Sequence, residues 1–386
     1  MFVKNIKIAR VATVPIFVVA HLRKQIQYLT GAGADIHVIT SEGEHADQVR
    51  NIENITFKVI NIPRKIQLFS DFSALVSLFL HFRREKFTIV HSMTPKAGLL
   101  CAIAGKLAGT PVRLHTFTGQ PWATMTGFKR TLLKSCDKLI GILNTKCYAD
   151  SRSQMDFLIA NGIVVKQDIA VLGSGSVAGI DLQRFRKDRY SDIETAEFKS
   201  ALGLPVGSKV VLFVGRITAD KGIRELVGAF NTLYSEHPNA YLVLVGPMEE
   251  DGKAVLAKVD PLVSEHVKLV GFSSEPEKYM RMADVLCLPS YREGFGTVII
   301  EAAAMGIPAV GTSIYGLTDA VEHGKSGLLV PVRDENALVG ALSLVIGDDI
   351  LRRELSEYAQ KRATSKFDTA VISQCLVDEY EAVARK

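Results

Sequence analysis

The sequence predicts an α/β protein built from two doubly wound, Rossmann-like parallel-sheet domains facing each other across a cleft. Three observations carry that prediction. Short apolar runs bounded by turn residues alternate with amphipathic runs, as parallel strands joined by crossover helices require. The apolar runs are continuous rather than alternating, as in residues 35–40 (DIHVIT), 87–91 (FTIVH) and 208–214 (SKVVLFV), the pattern of strands covered on both faces. The alternation also restarts after a polar stretch rich in Asp, Arg and Ser between Arg184 and Phe198. A chain of 386 residues accommodates two such domains. The expected division is residues 1–186, residues 187–365, and a terminal helix over 366–386 that folds back onto the first domain.

In the first domain, Ile6–Thr13 reads as a strand that Val14-Pro15 ends. Phe17–Thr30 spaces Val18, Leu22, Ile26 and Leu29 as one helical face, and Gly31-Ala32-Gly33 stops it. Asp35–Thr40 completes a βαβ unit, whose crossover should be right-handed. Phe57–Ile60 is the third strand. Asp71–Arg84 predicts an apolar helix capped by Asp71, with Leu75, Leu78, Phe79 and Phe82 as its core stripe. Phe87–His91 and Val112–Thr116 are strands around a helix at Ala97–Ala108, and Lys138–Leu143 and Gln167–Leu172 read as two more strands. In the second domain Ser208–Val214, Ala240–Val245, Val267–Leu269, Ala283–Pro289 and Ile307–Val310 are strands. Helices are expected at Gly222–Leu233, from Thr297 to Met305, at Ile350–Ala363 and at Asp368–Arg385.

Composition narrows the class. With 47% hydrophobic and 23% charged residues the chain is neither disordered nor fibrous. Its five cysteines show no CxxC spacing, which argues for a reducing compartment and against a disulfide framework or structural zinc. No signal-peptide pattern is visible, and no apolar run approaches the roughly 18 residues that span a bilayer. A cytoplasmic or peripheral protein is expected. Charge is divided unevenly: residues 1–186 hold 24 Lys and Arg against 12 Asp and Glu, and the remainder 22 against 29. A basic first half points to an anionic partner, a membrane surface or a phosphorylated substrate. The sequence has no RNA-binding signature and the basic residues carry no aromatic interleaving, so nucleic acid is the weakest of the anionic partners and is not expected.

The chemistry concentrates in residues 283–334. There a buried strand runs into the loop Ser290–Gly296, and a helix opens at Thr297. Glycines in that loop let backbone N–H groups approach an anion, and the helix adds its positive end. Glu293 in the loop and Glu301 one turn into the helix suit hydroxyl recognition beside that anion. Gly215-Arg216 through Lys221-Gly222 lies between a strand and a helix, and its two cations make a diphosphate clamp. The glycines of Gly173–Gly179 lack a following long helix and are not read as a dinucleotide fingerprint. His91, His115 and His323 have no metal-ligand spacing. His115, at a strand end, and Lys96, at a helix start, are the candidate acceptor or sugar contacts.

Residues 283–334, with PSYREGFGTVIIEAAAMGIPAVGT at their heart, together with GRITADKGI, resemble glycosyltransferase family 4, and the resemblance covers almost the whole chain. HSMTPKAGLL, HTFTGQPW and LGSGSVAGIDLQRF resemble a bacterial subgroup of O-antigen, capsule and exopolysaccharide assembly. The resemblance implies the GT-B fold and a retaining transferase that uses a nucleotide-sugar, UDP-linked, without a bound metal or other cofactor. It implies that Arg216 and Lys221 hold the donor diphosphate and that Glu293 contacts the transferring sugar. Gly215 and the backbone of Gly294, Phe295, Gly296 and Thr297 would meet phosphate and sugar, and Glu301 the ribose. It further implies a polyprenyl-diphosphate-linked saccharide as acceptor, and a peripheral position on anionic lipid at the cytoplasmic face of the inner membrane. The alternatives are a GT-B sugar-nucleotide epimerase and a non-catalytic nucleotide-sugar-binding scaffold. Two departures from the family stand out: Thr13-Val14-Pro15-Ile16 replaces a glycine-rich loop, and Thr118-Gly119 replaces a His-Gly pair.

Overall fold

The computed structural model describes residues 3–4 and 6–385, so Met1, Phe2, Asn5 and Lys386 of the terminal ranges lie outside the described residues. The chain divides into two compact units, Met1–Gly179 with Thr369–Lys386, and Ile180–Asp368. The second unit thus begins several residues before 187, because Ile180 and Phe185 are buried in its core. In the first unit seven parallel strands are β1 (Lys7–Val11), β2 (Asp35–Thr40), β3 (Ile55–Val59), β4 (Ile89–Met93), β5 (Val112–Phe117), β6 (Lys146–Ala149) and β7 (Ile169–Val171). Their order across the sheet is β3-β2-β1-β4-β5-β6-β7.

The second unit repeats the plan with β8 (Lys209–Val214), β9 (Ala240–Val245), β10 (Val267–Gly271), β11 (Val285–Leu288), β12 (Ala309–Thr312) and β13 (Gly327–Val330). Their order is β10-β9-β8-β11-β12-β13. Every pair in both sheets is parallel. Both orders reverse beside the first strand of the unit, the doubly wound arrangement. The continuous apolar runs are explained by burial: every residue of β9, β11 and β12 is shielded from solvent.

Two local expectations are corrected. Lys138–Leu143 is not a strand but the end of the helix Gly127–Leu143, and the next strand is β6. Its run of apolar residues imitates a buried strand because Leu139 and Ile142 are apolar yet exposed while Ile140 is buried. Asp71 is not the cap of its helix. That helix starts at Leu68, and Asp71 sits in its first turn, where Oδ2 accepts from the Gln67 N–H at 3.0 Å.

The terminal helix Thr369–Ala384 belongs to the first unit, and a buried polar chain fastens it there. Arg10 on β1 is fully buried, and its partners are neutral: Nη1 donates to Tyr380 Oη at 3.0 Å and Nη2 to Gln25 Oε1 at 2.7 Å. Tyr380 Oη lies 2.6 Å from His91 Nδ1, and His91 Nε2 lies 2.8 Å from Thr116 Oγ1. Burial, then the Arg10 charge and then His115, hold His91 neutral by lowering its pKa well below the ordinary value. With Tyr380 Oη accepting from Arg10 it donates to Nδ1, which leaves the His91 proton on Nε2 for Thr116.

Tyr380→Phe keeps the ring's packing but leaves Arg10 and His91 each short of a partner. The thermal transition of the first unit should fall, by about 1–3 kcal/mol of stability for a buried polar group left unsatisfied. An unchanged melting profile would mean that the chain does not hold the helix.

Candidate functional site

The site lies where the second sheet reverses, between β8 and β11, and is made by the loops that follow them. Those loops approach backbone to backbone. Gly222 has φ +71°, and a Cβ there would lie 2.0 Å from the Pro289 carbonyl oxygen, so no other residue fits. The Tyr291 N–H donates to the Asp220 carbonyl at 2.9 Å across the same junction. The result is that Lys221 and Glu293, 72 positions apart, meet: Nζ lies 2.5 Å from Oε1. Ser290 Oγ donates to the same carboxylate oxygen at 2.8 Å. The two side chains are only 18% and 14% exposed, so the pair is largely desolvated yet still reachable.

Arg216 occupies the same rim. Its Nη1 lies 2.6 Å from Glu249 Oε1 and its Nη2 3.8 Å from Asp220 Oδ2. Asp220 is the acid this cluster is built around: Thr218 Oγ1 hydrogen-bonds it and Arg292 Nη2 pairs with it at 2.7 Å. Burial works against its charge. The Thr218 bond and the cations Arg292, Lys221 and Arg216 nevertheless hold its carboxyl below the usual range. Three cations therefore converge on one region.

The other side of the loop is pressed into shape from behind. A Cβ at Gly316 would lie 2.7 Å from the Gly294 carbonyl oxygen and 2.8 Å from that of Glu293. Gly296, at φ +84°, precedes the helix Thr297–Ala304, whose first turn has no side-chain cap. The Ile299 N–H turns back to the Gly296 carbonyl at 2.9 Å, which leaves the N–H groups of Thr297 and Val298 and the positive end of the helix as donors. Phe295 points inward, is buried, and its ring lies 5.3 Å from that of Phe367, so only its backbone can serve a ligand.

Glu301 is on that helix. Burial pushes its carboxyl up to about 7, opposed by Arg184 and reinforced by Glu277. Arg184 Nη2 pairs with the buried Glu277 at 2.7 Å and Arg189 Nη1 lies 3.3 Å from the same group. Two further expectations look different in the structure. His115 is 1% exposed, its Nδ1 is 3.0 Å from Ser92 Oγ, and a Cβ at Gly98 would lie 2.4 Å from its ring. Its burial, which lowers the pKa to about 3, makes it a neutral core histidine rather than a sugar contact. Lys96 pairs with Asp71 at 2.6 Å and donates to the Lys65 carbonyl. Sequence reasoning passed over Asp220, Ser290, Arg292 and the Arg184–Glu277 pair. Asp220 was signalled by its place between Arg216 and Lys221, whereas the pair, 93 positions apart, left no local sign.

Comparison with known proteins shows what the chain is similar to. The family model described as glycosyl transferases group 1 matches residues 194–362, and that of a glycosyl transferase 4-like domain matches residues 18–175. The chain is 32% identical to the capsular polysaccharide biosynthesis glycosyltransferase CapM of Staphylococcus aureus, over 99% of both chains. It is 27% identical to the UDP-Gal:alpha-D-GlcNAc-diphosphoundecaprenol alpha-1,3-galactosyltransferase of Escherichia coli, over 90% of this chain and 89% of that one. Among solved structures it superposes on Anabaena Alr3699/HepE in complex with UDP and glucose with a TM-score of 0.82 at 19% identity, covering 98% of this chain and 100% of the other.

The raised Glu301 carboxyl has a measurable consequence. The folded chain keeps this proton to about pH 7, whereas the ordinary carboxyl value is 4.5. The group therefore costs nothing below the lower value and becomes progressively destabilising as pH rises through the interval. The melting temperature of the natural chain, relative to Glu301→Gln, should fall across that interval and level off above it. A difference that stays flat with pH would show that the carboxyl titrates normally.

Proposed function

The chain belongs to the family 4 glycosyltransferases of group 1, with the GT-B fold, and from that membership we propose that it transfers a sugar, with retention, from a UDP-sugar to a polyprenyl-diphosphate-linked saccharide in surface polysaccharide assembly. The observation that carries this reading is the meeting of Lys221 and Glu293 at the reversal of the second sheet, with Arg216 on the same rim. Cleaving a sugar–phosphate bond leaves negative charge on the departing nucleotide, and the principal demand on the enzyme is to stabilise it. Lys221 has three N–H donors, of which one meets Glu293, so the others are free for phosphate oxygens. Arg216 offers a planar fork to the diphosphate in exchange for Glu249.

Glu293, held by Lys221 and Ser290, is assigned to the transferring sugar. The backbone from Gly294 to Thr297 is assigned to phosphate and sugar oxygens, with Gly215 opposite as a close backbone approach, its own N–H being bonded to the Val245 carbonyl at 2.9 Å. Glu301 is assigned to the ribose hydroxyls. Attack and departure on one face, with the leaving phosphate taking the acceptor's proton, would retain the anomeric configuration without a carboxylate nucleophile. In this scheme protein cations, not a metal ion or other cofactor, neutralise the leaving group. The lipid-linked acceptor and the UDP donor are supported by the named activity of the Escherichia coli relative, and the capsular role by that of the Staphylococcus aureus one. The excess of cations in residues 1–186 suits a diphosphate-bearing acceptor and a place at the cytoplasmic face of a membrane. No helix among the described residues is long and apolar enough to cross one.

Incubation with a panel of nucleotide-sugars and a polyprenyl-diphosphate-linked saccharide, followed by mass spectrometry and by NMR of the new linkage, tests the proposal. Product of the donor's own anomeric configuration is expected. Lys221→Ala should lower turnover on the order of 10²–10³-fold with little change in folding, and Glu293→Ala should also be impaired. Full activity in either variant would sink the residue assignments. Donor conversion without acceptor would instead identify an epimerase, and tight donor binding with no product a scaffold.

A further inference from the structure

We infer that Tyr291 is a positioning residue of the donor site: its main chain and its ring tie the loop that carries Glu293 to the segment that carries Lys221. The inference deepens the proposed transfer and rests on it for the chemistry that those two charges perform. Tyr291 precedes Glu293 by two residues in the loop that follows β11. Its N–H donates to the carbonyl of Asp220, the residue before Lys221, at 2.9 Å. Its phenol donates to Glu225 and lies 2.7 Å from each carboxylate oxygen. Glu225 belongs to the first turn of the helix Ile223–Glu236, into which Lys221 and Gly222 lead, and the positive end of the helix favours an acid there. One residue therefore binds both sides of a pair whose members are 72 positions apart.

The ring is held on its face as well. The Arg333 guanidinium lies 4.7 Å from its centroid, a cation over a π system. Arg333 comes from the loop after β13 and has φ +62°, a left-handed conformation that a residue with a side chain adopts where its surroundings impose it. The phenol stays a donor, because burial and then the Glu225 bond push it up to about 12, against the Arg333 charge. The other contacts of the loop do less to place Glu293 against Lys221. Gly316 abuts the Glu293 and Gly294 carbonyls from behind, and the Ser290 carbonyl accepts from Thr312 Oγ1. Neither reaches the Lys221 segment. Arg292 does, through Asp220, but its guanidinium is one of the cations a diphosphate would draw off. The N–H and phenol of Tyr291 carry no charge to lose, so they hold the loop whether or not a ligand is bound. A charge that stabilises a leaving group acts only if it is held to a fraction of an ångström.

Turnover and amide exchange in variants of the full chain test this. Tyr291→Phe keeps the ring, its N–H and the Arg333 contact, and removes only the bond to Glu225. It should lower kcat on the order of 10-fold, with UDP affinity and melting little changed. Amide exchange in the peptide spanning 290–297 should quicken on the order of 10-fold. Glu225→Ala should reproduce both effects, and Glu225→Gln, which keeps an acceptor for the phenol, should recover most of the loss. Because Tyr291 acts through Glu293, Tyr291→Phe should cost little further turnover in a Glu293→Ala background. Full turnover in Tyr291→Phe, or a loss that persists undiminished beside Glu293→Ala, would overturn the assignment. Exchange reports without any transfer: faster exchange in Tyr291→Phe, where the natural chain moves no sugar, sinks only the transferase reading. Transfer by the natural chain with unchanged exchange in the variant sinks only the positioning role.

Discussion

Parallel strands buried on both faces need crossovers, and where the crossovers change direction two adjacent strands send their following loops apart. In the second unit those strands are β8 and β11, and everything in the site depends on how closely their loops return to one another. The junction of Gly222 with Pro289 sets that distance, because a single Cβ would collide with the carbonyl oxygen. From it follow the Lys221–Glu293 pair, the Tyr291 hydrogen bond to Asp220 and the cluster of Arg216, Arg292 and Lys221 around that acid. Gly316 closes the arrangement from the opposite side, pressing on the backbone of Glu293 and Gly294. The charges of the site are thus held in place before any ligand arrives, which is what electrostatic stabilisation of a leaving group requires.

The first unit solves a different problem with the same sheet. It buries an arginine among neutral partners, which would be expensive but for the hydrogen bonds to Tyr380 and Gln25. In return the terminal helix is tied to β1 and β4, so the end of the chain closes the domain in which the chain began. His91 is neutral first because it is buried, and the charge of Arg10 beside it adds to that.

Alternation of apolar runs and helical spacing was enough to read most of both sheets from the sequence, β6 and β13 excepted, because most strands of a covered parallel sheet are continuous apolar runs. The donor-side loops were legible for a similar reason: glycines, two cations and two acids lie at strand ends, where an open α/β fold puts its ligands. Reading failed where apolar character and burial part company. Leu139 and Ile142 are apolar but exposed, so a helix end passed for a strand, and His115 sits at a strand end but faces a helix.

The sequence by itself determined the two-unit α/β plan, the family and the chemical types gathered around Lys221 and Glu293, because those depend on local pattern and on residues within one loop. Only the tertiary structure decided which groups meet. Pairs such as Lys221 with Glu293, Arg184 with Glu277 and Arg10 with Tyr380 are separated by 72, 93 and 370 positions. Their contact is a product of strand order and of where glycine lets two backbones touch, and burial then sets the charge state of Glu301 and His91. None of that is encoded in any short stretch of chain, since it depends on what the fold places around each group.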